Sequence, residues 1–206
     1  MKKLLLMFGI VAVSVLLIKC GNNSEEPKAA TKNDTVLQDS LTYNKYLKKG
    51  SEFAMNTGSV LIKNVTEAIE KKGTVHAIEF CNTKALPLTD SMSTVQNVFI
   101  KRVTDRARNQ SNKANAEQLQ YIQQLKSLIA SGEKPKPHLQ DAGEIIIGYY
   151  PIVTNDMCMQ CHGDKSTIEE KTLAKINKLY PADSATGYKP NQLRGLWVVE
   201  MMKKEN

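Results

Sequence analysis

Cysteine and histidine are scarce in this chain, with four and three in 206 residues. Tryptophan occurs once. No segment repeats along the sequence, which excludes a solenoid or propeller. No dense basic block is interleaved with aromatics, so a nucleic-acid partner is not expected. Strands and helices do not alternate in a βαβ rhythm, which argues against a parallel α/β sheet. Against that scarcity, "CMQCH" at 158–162 stands out. It gathers Cys158, Cys161 and His162 within one turn of chain.

The N-terminus carries its own signal. Met1-Lys2-Lys3 is followed by an apolar run from Leu4 to Ile18, then Lys19-Cys20-Gly21. A positive start and a short apolar stretch read as a secretory signal over 1–19. A spanning helix needs roughly 20 apolar residues, so the run is short for a stable anchor. Cys20 stands where a bacterial lipoprotein carries its lipidated cysteine, with Leu17 three residues before it. Lys19 departs from that pattern, where a small residue is usual. Residues 20–35 are polar and read as a lipoprotein tether. Without Lys2, Lys3 and Lys19, the formal net charge of +7 falls by three to +4. The expected location is outside the cytoplasm, periplasmic or membrane-anchored, in a Gram-negative-type bacterium. Membrane contact is expected through the lipid on Cys20.

Residues 36–206 are long enough for one domain with a real core. Apolar residues recur at helical spacing over 36–72, and Gly73 reads as a helix stop. Gly50 and Gly58 are expected to bend or divide that helix. A second, short helix is expected over 74–86. Residues 97–105, 144–153 and 193–201 read as strands. Residues 107–115 read as loop. Helices are expected near 115–130 and 167–180. The predicted class is α+β: an antiparallel sheet flanked by helices and preceded by N-terminal helices.

Cys-x-x-Cys-His is the attachment signature of a c-type haem. One helical turn puts positions i and i+3 on the same face, so Cys158 and Cys161 can both bond one porphyrin. His162 can then supply the proximal iron ligand. Three other chemistries compete. A redox pair would want a βαβ setting. A zinc site would want a second ligand pair, and only Cys81, His76 and His138 remain, widely scattered. A disulfide between Cys158 and Cys161 is the plainest. The secretory signal favours haem, since c-type haem is attached outside the cytoplasm.

Counting the cysteines off leaves Cys81 unpaired. It reads either as a small buried hydrophobe or as a thiolate that closes the iron's far side. Met55, Met92, Met201 and Met202 are further far-side candidates, and His76 is the alternative to Cys81. Five residues apart on one helix, the two point about 140° from each other, so at most one faces the haem. His138 reads as a solvated loop residue. Met157 and Met159 sit too near the attachment motif to reach across a ring. Arg106, Arg108, Asn109 and Arg194 are candidate partners for the haem propionates. Tyr149, Tyr150, Tyr188 and Trp197 read as core or haem-wall aromatics. Asp183 and Gly187 read as turn residues.

The stretches "YYPIVTNDMCMQCHG" and "YPADSATGYKPNQLRG", with "HAIEFCNTKA" and "RVTDRARNQSNKANAEQLQ", resemble a family of single-haem c-type proteins with a PAS-like fold. Its members occur as exported proteins and as sensory domains of bacterial signalling proteins, many known only as haem-binding domains of unknown function. The resemblance covers roughly 76–200. It implies one covalent haem c on Cys158 and Cys161, His162 as proximal ligand and Cys81 as distal ligand.

Histidine–thiolate ligation lowers the reduction potential, because an anionic donor stabilises ferric iron. The first expectation is therefore electron transfer at low potential, with a redox partner protein the sequence does not identify. The alternative is a redox or small-gas sensor. No output segment follows "KKEN", so that role would signal through a separate partner protein. A peroxidase-like enzyme is disfavoured by the filled sixth site.

Overall fold

The computed structural model describes residues 40–203. The expected signal over 1–19, the tether over 20–35 and Cys20 lie outside the described residues. No helix among the described residues is long and apolar enough to cross a membrane.

The chain opens with a long helical run, α1 (Ser40–Gln96). It is two helices joined at Gly73, where φ is 80° and ψ is 177°. Only glycine enters that region without strain, so the expected stop at Gly73 is a sharp joint. The second arm continues past the expected end at 86, through Pro87 to Gln96. Packing explains the extension: Ala85 and Leu88 join the main core, and Thr89 is buried with its Oγ1 donating to the Ala85 carbonyl. Gly50 and Gly58 neither bend nor divide the first arm. Gly50 lies against the Tyr150 hydroxyl, and Gly58 against the Trp197 indole.

Four antiparallel strands follow, β1 (Phe99–Val103), β2 (His138–Ala142), β3 (Ile145–Val153) and β4 (Leu193–Met202). Their order in the sheet is β1-β4-β3-β2. The α+β class with an antiparallel sheet is thus as the sequence predicts. Three strands fall where expected. β2 does not, and His138 is its first residue rather than part of a loop. The sequence "HLQDA" holds only one large apolar residue. Its order comes from pairing with β3 across a Gly143-Glu144 turn, with Ala142 opposite Ile145.

The central strand β4 is buried on both faces. Trp197, Val199 and Met201 point to α1, with Ile100, Ile146 and Tyr150 of the neighbouring strands. Leu196 and Val198 point the other way, onto Ile122 and Leu125 of α2 (Ala116–Ala130). Asn115 caps α2 through a capping box with Gln118, which satisfies two of the orphan donors at its start. A short helix α3 (Met159–His162) follows β3, and then α4 (Glu170–Leu179). Ile176 and Tyr180 pack α4 onto Ile78 of α1, with Cys161 beside them. The sheet therefore has α1 on one face and α2 on the other, and α3 sits beside the gap between α1 and the sheet.

Candidate haem site

The cysteine motif begins where β3 ends. Thr154 ties that end to the two residues before β4, since its amide donates to the Gln192 carbonyl and its carbonyl accepts from the Asn191 amide. Asn155 then caps a single 3-10 turn, Asp156–Cys158, through its side-chain oxygen to the Cys158 amide. α3 carries Cys161 and His162 one turn further on. The three residues of the signature are thus placed by a strand end and one cap.

His162 is fixed by a backbone acceptor. Its Nδ1 lies 2.7 Å from the Ala185 carbonyl oxygen. A carbonyl can only accept, so Nδ1 carries the proton and Nε2 keeps its lone pair. Burial pushes the imidazole well below its ordinary pKa, and Arg108 and Arg194 push the same way. The neutral ring is the form a metal needs.

The loop 183–188 locks this arrangement. The Tyr188 amide donates to the His162 carbonyl at 2.9 Å, and the Gly187 amide to the Gly163 carbonyl at 2.6 Å. Gly187 has φ of 77°, which favours glycine. Arg108 bonds both sides of the lock. Its Nη2 donates to the Cys161 carbonyl at 2.7 Å, and its Nε to Asp183 Oδ1 at 3.1 Å. Asp183, expected only as a turn residue, is a buried ion-pair partner that also accepts from the Ala185 amide. Arg106 donates to the Ser184 and Thr186 carbonyls and lies over the Tyr188 ring at 4.2 Å.

These elements border a cavity of about 260 Å³ between α1, the sheet and α3. Leu61, Val65, Ile69, Ile78 and Trp197 give it apolar walls. Cys158, Cys161 and His162 line it from α3 and the turn before it, and Cys81 lines it from α1. Burial raises the Cys81 thiol, with Arg102 and Arg108 opposing. Burial also pushes the Cys161 thiol up to about 11. His76 does not line the cavity. It is 41% exposed on its side chain and faces Glu79, Nδ1 to Oε2 3.7 Å. Of the two far-side candidates, the fold therefore brings only Cys81 to the motif.

Among the four propionate candidates, Arg108, Asn109 and Arg194 line the cavity and Arg106 does not. The Arg194 Nη1 is held by Thr104 Oγ1 and the Arg106 carbonyl, both at 3.1 Å. Asn109 caps the turn Gln110–Asn112. Of the aromatics, Trp197 is a cavity wall and Tyr188 meets His162 edge-on at 6.3 Å. Tyr150 belongs to the α1 core, and Tyr149 stacks on His138 at the far side of the sheet. The sequence reading missed Arg102, which also lines the cavity. Its signal was a cation at an inward position of the strand "FIKRV".

The donor set fits a haem better than a bare ion. Among the described residues, no three or more His, Cys, Asp or Glu side chains converge to hold a metal. One nitrogen and one sulfur on separate walls, beside two thiols one turn apart, suit a planar macrocycle with attachment on one side. Apolar walls edged by arginines suit its hydrophobic ring and its carboxylates.

Fold and cavity together define the class: an α+β domain whose Cys-x-x-Cys-His turn opens onto a largely apolar cavity. The chain belongs to the Tll0287-like family, whose model matches residues 22–201. Among solved structures it is similar to the crystal structure of the cyanobacterial heme-protein Tll0287. The identity is 17%, the TM-score 0.51, and the match covers 74% of this chain and 96% of that one. At that identity the likeness is one of fold. No curated protein matches the chain. The expected relation to a haem-protein family is thereby met.

Proposed function

We propose that this chain carries one covalent haem c in the cavity and transfers electrons outside the cytoplasm. Cys158 and Cys161 supply the thioethers, His162 Nε2 the proximal ligand and Cys81 the distal thiolate. Arg194, Arg108 and Asn109 are the cavity's candidates for the propionates. The bound group supplies one-electron chemistry, and the chain's residues fix its orientation and exclude water. The observation that carries this reading is the His162–Ala185 hydrogen bond of 2.7 Å, which leaves Nε2 for the cavity that Cys81 also lines. His162 and Cys81 would both hold the bound group and would leave no free donor site for peroxide, which favours electron transfer over catalysis. The secretory signal and Cys20 support export and lipid anchoring. The redox partner is a separate protein that accepts or supplies one electron.

The test is the absorption spectrum of protein made with a haem-attachment system. Haem that stays with the chain after acid–solvent extraction supports the reading, and haem that washes out sinks it. Potentiometric titration gives a low midpoint, because the thiolate stabilises ferric iron. Axial ligands move haem potentials over roughly 0.8 V, so a clearly positive midpoint counts against Cys81.

A second reading, redox or small-gas sensing in a PAS-like fold, is favoured by the burial of Cys81, which stabilises the neutral thiol. A thiol is the weaker ligand, and its release on reduction would open a site. Carbon monoxide binding to the ferrous protein distinguishes the two readings.

A further inference from the structure

Arg102 has no task in the reading above. It sits on β1, opposite Trp197 in the β1–β4 register. Its guanidinium lies 5.5 Å from the Trp197 ring centroid, and it lines the same cavity as Cys81 and His162. Its Nε is buried with no hydrogen-bond partner. The cavity's other two guanidiniums differ. Arg108 is paired with Asp183, and the Arg194 Nη1 has two acceptors. A buried cation with an unmet donor costs free energy unless a partner arrives. Arginine does not resolve that cost by losing its proton.

We propose that Arg102 is the counter-charge of the redox centre in this cavity and raises its one-electron reduction potential against the pull of the Cys81 thiolate. The proposal rests on the haem reading. One-electron reduction adds one negative charge to the centre. A fixed cation interacts more favourably with the reduced state, which carries one more unit of negative charge. Apolar walls screen that attraction less than water does. Burial dominates both groups, raising the Cys81 thiol and lowering the Arg102 guanidinium, and each charge partly opposes the other's shift. The residue is a positioning and tuning group, not a ligand. It makes the potential of a histidine–thiolate centre less negative than its ligands alone would set.

The experiment is potentiometric titration of the haem-loaded protein with a chemical reductant, dithionite, supplying the electron. Arg102→Gln removes the charge, Arg102→Lys keeps it, and Arg102→Met keeps the stem against Trp197. Lys101→Gln makes the same charge change one residue away, on the other face of β1. The expected result is a midpoint lowered in Arg102→Gln and Arg102→Met by at least a tenfold change in the one-electron equilibrium constant, about 59 mV. Arg102→Lys keeps most of the wild-type value, and Lys101→Gln stays at it. An unchanged midpoint in the neutral variants overturns the proposal while leaving the haem reading intact. So does a fall in Arg102→Lys as large as in Arg102→Gln, because charge is then not what acts. Arg102→Met gives the reading where Arg102→Gln does not fold. A wild-type protein without covalent haem overturns the haem reading and this proposal with it.

Discussion

Arg108 and Asp183 form a buried ion pair across the cysteine motif, with Nε to Oδ1 at 3.1 Å and side chains 8% and 7% exposed. The pair connects the carbonyl of Cys161 to the amide of Ala185, whose own carbonyl holds the His162 ring. It therefore anchors the His162 ring and the loop 183–188 to the cysteine motif.

Removing one partner leaves the other buried and charged. Arg108→Ala or Asp183→Ala is expected to cost about 3–5 kcal/mol. Urea denaturation reads this as a lower midpoint at unchanged slope. The double variant Arg108→Met with Asp183→Leu recovers part of the loss, because no uncompensated charge remains. A double variant no better than the worse single one would show that the pair's charges are not at issue.

The Gly73 joint makes a cleaner backbone test. A Cβ built there meets nothing within 4 Å, so Gly73→Ala adds no clash. Its φ of 80° and ψ of 177° still exclude a side chain. The cost is then purely conformational, about 1–3 kcal/mol. An alanine variant as stable as the wild type would mean that the two arms of α1 can join another way.

Much of this fold is legible in the sequence because its signals are local. "EIIIGYYPIV" is a strand by composition, and the cysteine motif gathers Cys158, Cys161 and His162 within five residues. Gly73 marks the joint without any knowledge of packing. β2 is illegible for the opposite reason, since "HLQDA" becomes a strand only by pairing with β3. The Arg108–Asp183 pair lies 75 positions apart, and nothing near either residue announces it. Arg102 looks like any strand cation until the β1–β4 register sets it opposite Trp197. Subtraction favoured Cys81 with His76 as runner-up, but only the turn of α1 shows which of the two lines the cavity.

Tyr121 of α2 and the sheet tyrosines Tyr149 and Tyr150 predict an alkaline limit. Burial pushes Tyr121 and Tyr149 up to about 12, and pushes Tyr150 up as well. An unfolded tyrosine titrates at about 10. Between those values the folded chain holds protons that the unfolded chain releases. Stability is then full below pH 10 and falls as pH rises through the folded values. Thermal melts at rising pH, followed with phenolate absorbance, check this. Tyr149→Phe should flatten the decline, at the cost of the hydroxyl's bond to Gln140. A wild-type melting temperature constant from pH 9 to pH 12 would contradict the argument.

The two far-side candidates give opposite expectations in one experiment. Cys81 lines the cavity, whereas His76 faces Glu79 at the surface. With the haem loaded, Cys81→Ala changes the ferric absorption spectrum and His76→Ala leaves it as it was. The Cys81 variant loses an anionic donor, so its midpoint rises. It also binds carbon monoxide in the ferrous state without a ligand having to leave. If the wild-type ferrous protein binds carbon monoxide as fast as Cys81→Ala, the thiol is already off the iron after reduction, and sensing becomes the better description. If the wild type binds none, the sulfur stays, and the centre is built to pass electrons. A spectrum altered by His76→Ala and untouched by Cys81→Ala would place the distal ligand outside the cavity wall that the fold provides.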